Sequence, residues 1–135
     1  MKPRARIVVA DDHEAVRAGV RMILAREPDV EICAEAVNGE EAVAMVREFK
    51  PDLAILDVTM PVKTGLEAAK EIRRLAPSTK IIMFSMHDSA QMTEAARQVG
   101  AGAFVLKSSP GDRLLEAVHR LLSEKDGDGA SHKAS

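Results

Sequence analysis

Residues 53–57 read Leu-Ala-Ile-Leu-Asp. Four consecutive apolar residues without polar alternation are typical of a short strand that is covered on both faces. Such strands belong to parallel sheets with helices packed on either side. The stretch therefore predicts a central strand of an α/β protein, and it places the carboxylate of Asp57 at the carboxyl end of that strand.

Outward from this stretch, the rest of the chain repeats the same pattern. Further apolar runs occupy residues 7–10, 30–37, 81–84 and 103–106. The run at 30–37 alternates in part between apolar and polar residues, which favours an edge strand. A stretch with apolar residues at helical spacing follows each of the runs, and Asp112 is in position to cap the last of these helices.

This alternation of strand and helix predicts the fold class. Short buried strands separated by helices imply right-handed crossovers, and hence an α/β doubly wound parallel sheet of five strands with five helices. A chain of 135 residues is long enough for one such domain. We expect the domain over residues 1–123. Residues 124–135 lack periodic apolar residues, which predicts a disordered tail or the start of a linker.

The composition excludes several classes of protein. Apolar residues make up 46% of the chain and charged residues 30%, which is typical of a water-soluble globular domain. The net charge of −2 gives no reason to expect attraction to nucleic acid or to an anionic membrane. Cys33 is the only cysteine, so no internal disulfide can form, and we expect it to be a small buried apolar residue. No apolar run reaches membrane-spanning length, and a cytoplasmic location is the expectation.

Chemically active side chains follow four of the predicted strands. Asp11 and Asp12 follow the first strand, Asp57 follows the third, Ser85 follows the fourth and Lys107 follows the fifth. Doubly wound sheets bind ligands outside the carboxyl ends of their strands, where the strand order reverses. The sequence therefore predicts one site that contains these side chains.

The residue types in this set indicate phosphoryl chemistry. Three neighbouring carboxylates repel one another, and a hard divalent cation such as Mg²⁺, which prefers oxygen ligands, relieves that repulsion. A carboxylate can also attack a phosphoryl group to form an acyl phosphate. Lys107 can supply positive charge to the transferring group, and Ser85 can donate a hydrogen bond to it. Asp57 is the best candidate for the acceptor because it ends the most apolar strand.

Each of these residues also has a structural explanation when it is considered singly. Asp12 could cap the following helix, and Lys107 could be ordinary surface charge. Their joint occurrence at strand ends favours a site over chance. His13 is more typical of helix entry than of a metal ligand, since magnesium and manganese prefer oxygen. Arg17 and Arg21, on the first helix, are interpreted as part of a solvated face.

With these motifs in place, the sequence resembles the receiver domain of two-component response regulators from about Ile7 to Leu122. The stretches that carry the resemblance are Val9-Ala10-Asp11-Asp12-His13, Leu56-Asp57-Val58-Thr59-Met60-Pro61 with Gly65, Phe84-Ser85, and the segment from Gly100 to Lys107. The resemblance implies a flavodoxin-like sheet with strand order 2-1-3-4-5. It also implies that a histidine kinase phosphorylates Asp57.

The resemblance further implies how the metal is held. Asp12, Asp57 and the backbone carbonyl of Thr59 are expected to bind Mg²⁺ directly, and Asp11 is expected to act through a water molecule. Mn²⁺ is the alternative ion. Thr59 and His87 occupy positions that tune the lifetime of the aspartyl phosphate in this family.

A switch is implied as well. Lys107 is expected to pair with the phosphoryl group, and Ser85 to move towards it. Phe104 is then expected to rotate inward, which changes the surface formed by the fourth helix, the fifth strand and the fifth helix.

Arg17, Gly19 and residues 35–40 are similar to the NarL/FixJ-like subfamily, whose full-length members carry a helix-turn-helix DNA-binding domain. Regulation of transcription is therefore the expected output. This chain itself is expected to bind no nucleic acid and no membrane, and DNA only through a downstream domain. The resemblance allows a receiver homodimer.

Two other functions are weighed against this one. A haloacid-dehalogenase-like phosphatase also uses a strand-end aspartate with magnesium, but it expects a second aspartate at the position of Thr59. A degenerate receiver would act as a protein-interaction module without phosphorylation, and the intact Asp12, Asp57, Ser85 and Lys107 argue against it. We expect no enzyme activity beyond the domain's own phosphorylation and dephosphorylation.

Overall fold

The computed structural model describes residues 4–124. Five strands are formed by Ala5–Ala10 (β1), Val30–Ala36 (β2), Leu53–Asp57 (β3), Lys80–Ser85 (β4) and Ala103–Leu106 (β5). Five helices are formed by Glu14–Leu24 (α1), Gly39–Phe49 (α2), Gly65–Leu75 (α3), Ala90–Gln98 (α4) and Gly111–Ser123 (α5). Apart from Glu124, the predicted tail at residues 124–135 lies outside the described residues.

The strands form one parallel sheet in the order β2-β1-β3-β4-β5. The chain runs outward from β1 to β2 and then returns across β1 to β3, so the strand order reverses between β1 and β3. Ala10 lies opposite Leu56 in the register, which brings the carboxyl ends of these two strands side by side. The predicted fold class, strand order and edge position of β2 are confirmed.

β3 separates two apolar cores, one on each face of the sheet. Ile55 belongs to the core under α1 and α5, whereas Leu56 belongs to the core under α2, α3 and α4. All of β3 is buried, with Ile55 and Leu56 almost fully excluded from water. Burial of such a side chain contributes about 1.5–3 kcal/mol, so β3 is held in place from both sides.

Side-chain caps position the helices that follow the sheet. Asn38 accepts a hydrogen bond from the Glu41 backbone N–H at the start of α2. Thr64 and Glu67 form a reciprocal capping box at the start of α3. These caps fix where each helix begins, and so how closely the preceding loop approaches the sheet.

The prediction that Asp112 caps the last helix is wrong. α5 begins two residues earlier than a cap at Asp112 requires, with Pro110 at the N-cap position and no side-chain cap. Asp112 lies within the first helical turn, where its carboxylate pairs with Arg26 of the α1–β2 connection at 2.8 Å. A proline is compatible with a helix start because its missing N–H would have no partner there.

Among residues 4–124, no helix combines the length and apolar character needed to cross a membrane. Cys33 is half-buried rather than fully buried. Its strand, β2, lies at the edge of the sheet and is paired on one side by β1.

Candidate functional site

The polar residues that follow the strands meet at the carboxyl edge of the sheet. Asp57 is the last residue of β3, Ser85 is the last of β4, and Asp11 and Lys107 come directly after β1 and β5. Asp11, Asp57 and Ser85 are buried, although each is polar. The structure therefore brings together the side chains that the sequence predicted for one site.

Lys107 connects the two buried aspartates. Its Nζ lies 2.7 Å from Asp11 Oδ2 and 3.1 Å from Asp57 Oδ1, and the lysine side chain is only 7% exposed. The Lys107 backbone N–H donates to the Ser85 carbonyl at 2.7 Å, which holds the residue where β5 leaves the sheet. The ammonium group thus reaches across β4 to the ends of β1 and β3, and surface charge is excluded as an explanation of Lys107.

Burial and ion pairing act in opposite directions on the charge of Lys107. Burial alone would lower the pKa of the Lys107 ammonium, but attraction from Asp11 and Asp57 outweighs it and raises the pKa. Burial, followed by the negative charge of Asp11, raises the pKa of the Asp57 carboxyl, and Lys107 offsets this only in part. One ammonium group does not fully compensate for two buried carboxylates.

Asp11 has one oxygen that the fold leaves under-satisfied. Its Oδ1 accepts a hydrogen bond from the His13 backbone N–H at 2.9 Å. Its Oδ2 is buried, lies in the ion pair with Lys107, and has no other polar partner among the described residues. A buried oxygen of this kind usually indicates an additional ligand or water at the site.

The donor set fits a hard divalent cation. Donor atoms of Asp11, Asp12, His13 and Asp57 all lie within 4.8 Å of one another. The cluster holds three carboxylates, and Lys107 pairs with two of them, Asp11 and Asp57, which leaves an excess of negative charge. Carboxylate oxygens are the ligands that Mg²⁺ prefers, and the charge excess is what such an ion would neutralise.

Asp12 and His13 form the exposed side of this cluster. His13, not Asp12, occupies the N-cap position of α1, where it makes no side-chain cap. The His13 imidazole is largely exposed, with Nδ1 3.3 Å from Asp11 Oδ1 and 3.4 Å from Asp12 Oδ1. Because Asp12 does not cap the helix, its carboxylate remains available to the site.

The loop after β3 is shaped by a close approach to Asp57. Gly65 donates its backbone N–H to the Val58 carbonyl at 2.9 Å, and a Cβ at Gly65 would lie 1.8 Å from the Asp57 carbonyl oxygen. Only glycine fits there, because any side chain would clash with the Asp57 backbone. Thr59 is exposed, and its backbone amide acts to lower the pKa of the Asp57 carboxyl, against the larger effect of burial.

The predicted switch residues occupy neighbouring strands. The Ser85 hydroxyl accepts a hydrogen bond from the His87 N–H at 3.0 Å and donates to the His87 carbonyl at 3.2 Å. Phe104 is half-buried against the core under α2, α3 and α4, and lies opposite Met83 in the register. In this state the serine hydroxyl is committed to its own loop.

One residue near the site was misinterpreted from the sequence. Arg17 was assigned to a solvated face, but its side chain is only 12% exposed and its Nη1 donates to the Asp11 backbone carbonyl at 2.6 Å. The sequence signal for its burial is the position of Arg17 one turn into α1, three residues before the apolar Val20. A charged residue at such a position has to find a partner as it becomes buried.

The family model of the response regulator receiver domain matches residues 7–119. The chain belongs to the response regulator receiver domain family. Its relatives include the transcriptional regulatory protein DegU of Brevibacillus brevis, which is 36% identical over 115 residues, or 85% of this chain and 49% of DegU. The oxygen regulatory protein NreC of Staphylococcus haemolyticus is 41% identical over 117 residues, or 86% of this chain and 54% of NreC. The receiver domain thus spans about half the length of these curated relatives.

Solved structures agree with this assignment. The signal receiver domain of the response regulator NarL from Mycobacterium tuberculosis superposes with a TM-score of 0.87 and 31% identity, covering 92% of this chain and all of that domain. A LuxR-family response regulator from Aurantimonas sp. SI85-9A1 gives a TM-score of 0.85 and 34% identity, covering 97% of this chain and 96% of that one. The receiver domain is therefore of the NarL/LuxR type, a phosphorylation-dependent signalling switch, and the phosphatase alternative is set aside.

Proposed function

We propose that Asp57 is the phosphoacceptor of this receiver domain and that a histidine kinase supplies the phosphoryl group in a magnesium-dependent reaction. The observation that carries the proposal is the position of Asp57, which ends the central buried strand with the Lys107 ammonium 3.1 Å from its carboxylate. Asp11 is a poorer acceptor because both of its oxygens are engaged, Oδ1 by the His13 N–H and Oδ2 by Lys107 at 2.7 Å, whereas Lys107 contacts Asp57 at Oδ1 and at a longer distance.

A magnesium ion would be held by Asp12, Asp57 and the Thr59 backbone carbonyl, and Asp11 would act through a water molecule. Mn²⁺, which also binds oxygen ligands, is the alternative ion. When bound, the cation supplies positive charge that neutralises the transferring phosphoryl group. The excess of carboxylates at the carboxyl edge supports this assignment.

The residues of the chain itself perform the transfer. The Asp57 carboxylate attacks phosphorus, so that a P–O bond forms while the P–N bond of the phosphohistidine donor breaks and its electron pair returns to the imidazole nitrogen. Lys107 already lies beside Asp57 and can therefore pair with the phosphoryl oxygens without a large movement. The domain catalyses no other reaction in this proposal, because the phosphoryl group stays on Asp57 as the signal.

The proposed conformational change begins at Ser85. Its hydroxyl leaves the His87 backbone and donates to a phosphoryl oxygen, and Phe104 then rotates inward. This movement reshapes a groove of about 490 Å³ on the α5 side of β5, whose lining includes Phe104, Arg113 and Arg120. The groove lies on the surface of α4, β5 and α5 that we propose as the output face.

The partners of the full-length protein belong to the same proposal. DegU is named a transcriptional regulatory protein, which supports regulation of transcription through a DNA-binding domain outside this chain. The receiver domain itself contacts the histidine kinase, with a receiver homodimer as an allowed further assembly, and it contacts neither nucleic acid nor a membrane. A cytoplasmic location, expected from the composition, completes the proposal.

The test is a phosphorylation assay by intact mass. The protein is incubated with phosphoramidate and Mg²⁺, and we expect an adduct of one phosphoryl group that is lost in Asp57→Asn and in excess EDTA. Asp52→Asn is the matched control, since Asp52 is an exposed aspartate that precedes the same strand, and it should keep the adduct. An adduct that persists in Asp57→Asn would contradict the assignment of the acceptor. No adduct in the wild type would favour a degenerate receiver.

Thr59 and His87 are proposed to set the lifetime of the phosphorylated form. Both side chains are exposed, Thr59 two residues after Asp57 and His87 two residues after Ser85, so each can influence the approach of water to the aspartyl phosphate. The double variant Thr59→Ala with His87→Ala should therefore lose its adduct at a different rate from the wild type once phosphoramidate is removed. Equal decay rates, followed by intact mass over time, would count against this role.

A further inference from the structure

Arg17 makes a contact that no other arginine of the described residues makes with the acidic site. Its Nη1 donates to the Asp11 backbone carbonyl at 2.6 Å, while its Nε donates to Glu35 Oε1 at 2.9 Å and its Nη2 to Glu14. Glu35 lies on the edge strand β2, and Arg17 and Glu14 lie on α1. One guanidinium group therefore joins two elements to the end of β1.

The carbonyl that Arg17 holds has a particular place in the site. It belongs to the peptide between Asp11 and Asp12, and peptide planarity means that fixing this oxygen also fixes the direction in which the chain enters Asp12. The Asp11 N–H is fixed as well, by a 3.0 Å hydrogen bond to the Ala36 carbonyl of β2. The backbone between the two acidic residues is thus held on both sides of Asp11.

We propose that Arg17 is a positioning residue for the metal site, and that Glu35 holds its guanidinium group in the orientation that reaches Asp11. The inference rests on the proposed function, because it assumes that Asp11 and Asp12 serve a magnesium ion. Arg17 does not touch the carboxylates. It acts by restricting the Asp11–Asp12 backbone, so that the carboxylates are ordered before the ion binds.

Arg21 offers a matched control from the same network. It lies one helical turn after Arg17, and its guanidinium group donates to Glu35 at 2.7 Å and to Glu14 at 2.7 Å. Within residues 4–124 it has no hydrogen bond to Asp11. Loss of Arg21 removes comparable ion pairs between α1 and β2 but leaves the Asp11 carbonyl in contact with Arg17.

The experiment measures Mg²⁺ affinity by calorimetric titration of the wild type, Arg17→Ala, Arg17→Lys and Arg21→Ala, each checked for folding by circular dichroism. The chain has no tryptophan or tyrosine, so intrinsic fluorescence gives no comparable signal. We expect Kd to rise about 10-fold or more in Arg17→Ala, as for partners that orient metal ligands. Arg17→Lys should be intermediate, because an ammonium group cannot serve Glu35 and Asp11 with a rigid fork. Arg21→Ala should stay within about twofold of the wild type, as expected of a substitution away from the site.

A second readout needs no metal. In EDTA, the backbone amide resonances of Asp12 and His13 should shift in Arg17→Ala and stay in place in Arg21→Ala, since only the first variant releases the Asp11 carbonyl. If Arg17→Ala fails to fold, Arg17→Lys carries the comparison.

The outcomes separate this inference from the function on which it rests. A wild type that binds no Mg²⁺ overturns both the metal assignment and the inference. A wild type that binds Mg²⁺, with unchanged affinity in the folded Arg17 variants, overturns the inference alone. Equal weakening in Arg17→Ala and Arg21→Ala also overturns it, because a general loosening of α1 would then explain both.

Discussion

At the scale of single residues, the loop next to Asp57 contains a backbone conformation that its side chain does not favour. Val62 has φ +69°, in the left-handed region, and its side chain is 74% exposed. A β-branched residue in that region costs roughly 1–2 kcal/mol, and an exposed valine gains little burial in return. The loop is nevertheless held in this path, because the Lys63 N–H donates to the Pro61 carbonyl across Val62 at 2.7 Å and Gly65 approaches the Asp57 carbonyl closely.

We therefore expect Val62→Asn to stabilise the domain by about 1 kcal/mol, because asparagine tolerates the left-handed region and keeps the rest of the loop intact. The measurement is urea unfolding followed by far-ultraviolet circular dichroism. Val62→Ala is the control, since it removes the same apolar surface but keeps the backbone cost. If alanine stabilises as much as asparagine, the backbone explanation fails.

Cys33 provides a prediction on pH dependence. Burial, as the largest cause, raises the pKa of the Cys33 thiol, and the charge of Arg6 opposes this only in part. A raised pKa means less thiolate at any pH below it, so the native protein should react more slowly with iodoacetamide than an unfolded cysteine does. The midpoint of the rate against pH should accordingly lie higher in buffer than in urea. Coincident midpoints, followed by intact mass, would show that the strand does not protect the thiol.

At the scale of helices and strands, the sequence predicted most of what positions the site. Apolar runs bounded by turn residues located the five strands, and the rule that ligands bind at strand ends selected the acidic residues and Lys107. The sequence could not predict side-chain contacts that depend on how the helices pack against the sheet. Arg17 is turned towards Asp11 because α1 lies over β1 and β2, and Asp112 pairs with Arg26 because α5 begins at Pro110.

The start of α3 is stabilised by two reciprocal hydrogen bonds. Thr64 accepts from the Glu67 N–H at 3.1 Å, and Glu67 accepts from the Thr64 N–H at 2.9 Å. Thr64→Ala removes one of these bonds and should cost about 1 kcal/mol of unfolding free energy, whereas Thr64→Ser should cost little. Urea unfolding of the two variants checks this difference. Similar losses in both would indicate that the threonine methyl group, and not the cap, stabilises the loop.

At the scale of the whole molecule, the arrangement that presents Asp57 for its function also lowers stability, because it brings like charges together. Two apolar cores hold β3 between them, and this strand presents Asp57 to a partly buried cluster with excess negative charge. A concavity of about 660 Å³, lined in part by Arg4, Lys80 and His119, lies at the opposite end of the sheet. The repulsion among the carboxylates acts at the carboxyl edge of the sheet. A bound cation, alone or together with a phosphoryl group, can reduce it there.

Magnesium should for this reason stabilise the whole domain. An ion that binds the folded state alone adds about 2.7 kcal/mol at roughly 100 times its Kd, which is a rise in Tm of roughly 10 °C for a domain of this size. Asp57→Asn should have a higher Tm than the wild type in EDTA, because it removes one of two buried like charges, and should gain much less from Mg²⁺.

Thermal unfolding in MgCl₂ and in NaCl of equal ionic strength separates binding from screening, since screening acts on both proteins and with both salts. An equal gain for the wild type and Asp57→Asn would place the ion elsewhere, and a lower Tm for the variant in EDTA would show that the Lys107 pairing outweighs the repulsion from Asp11.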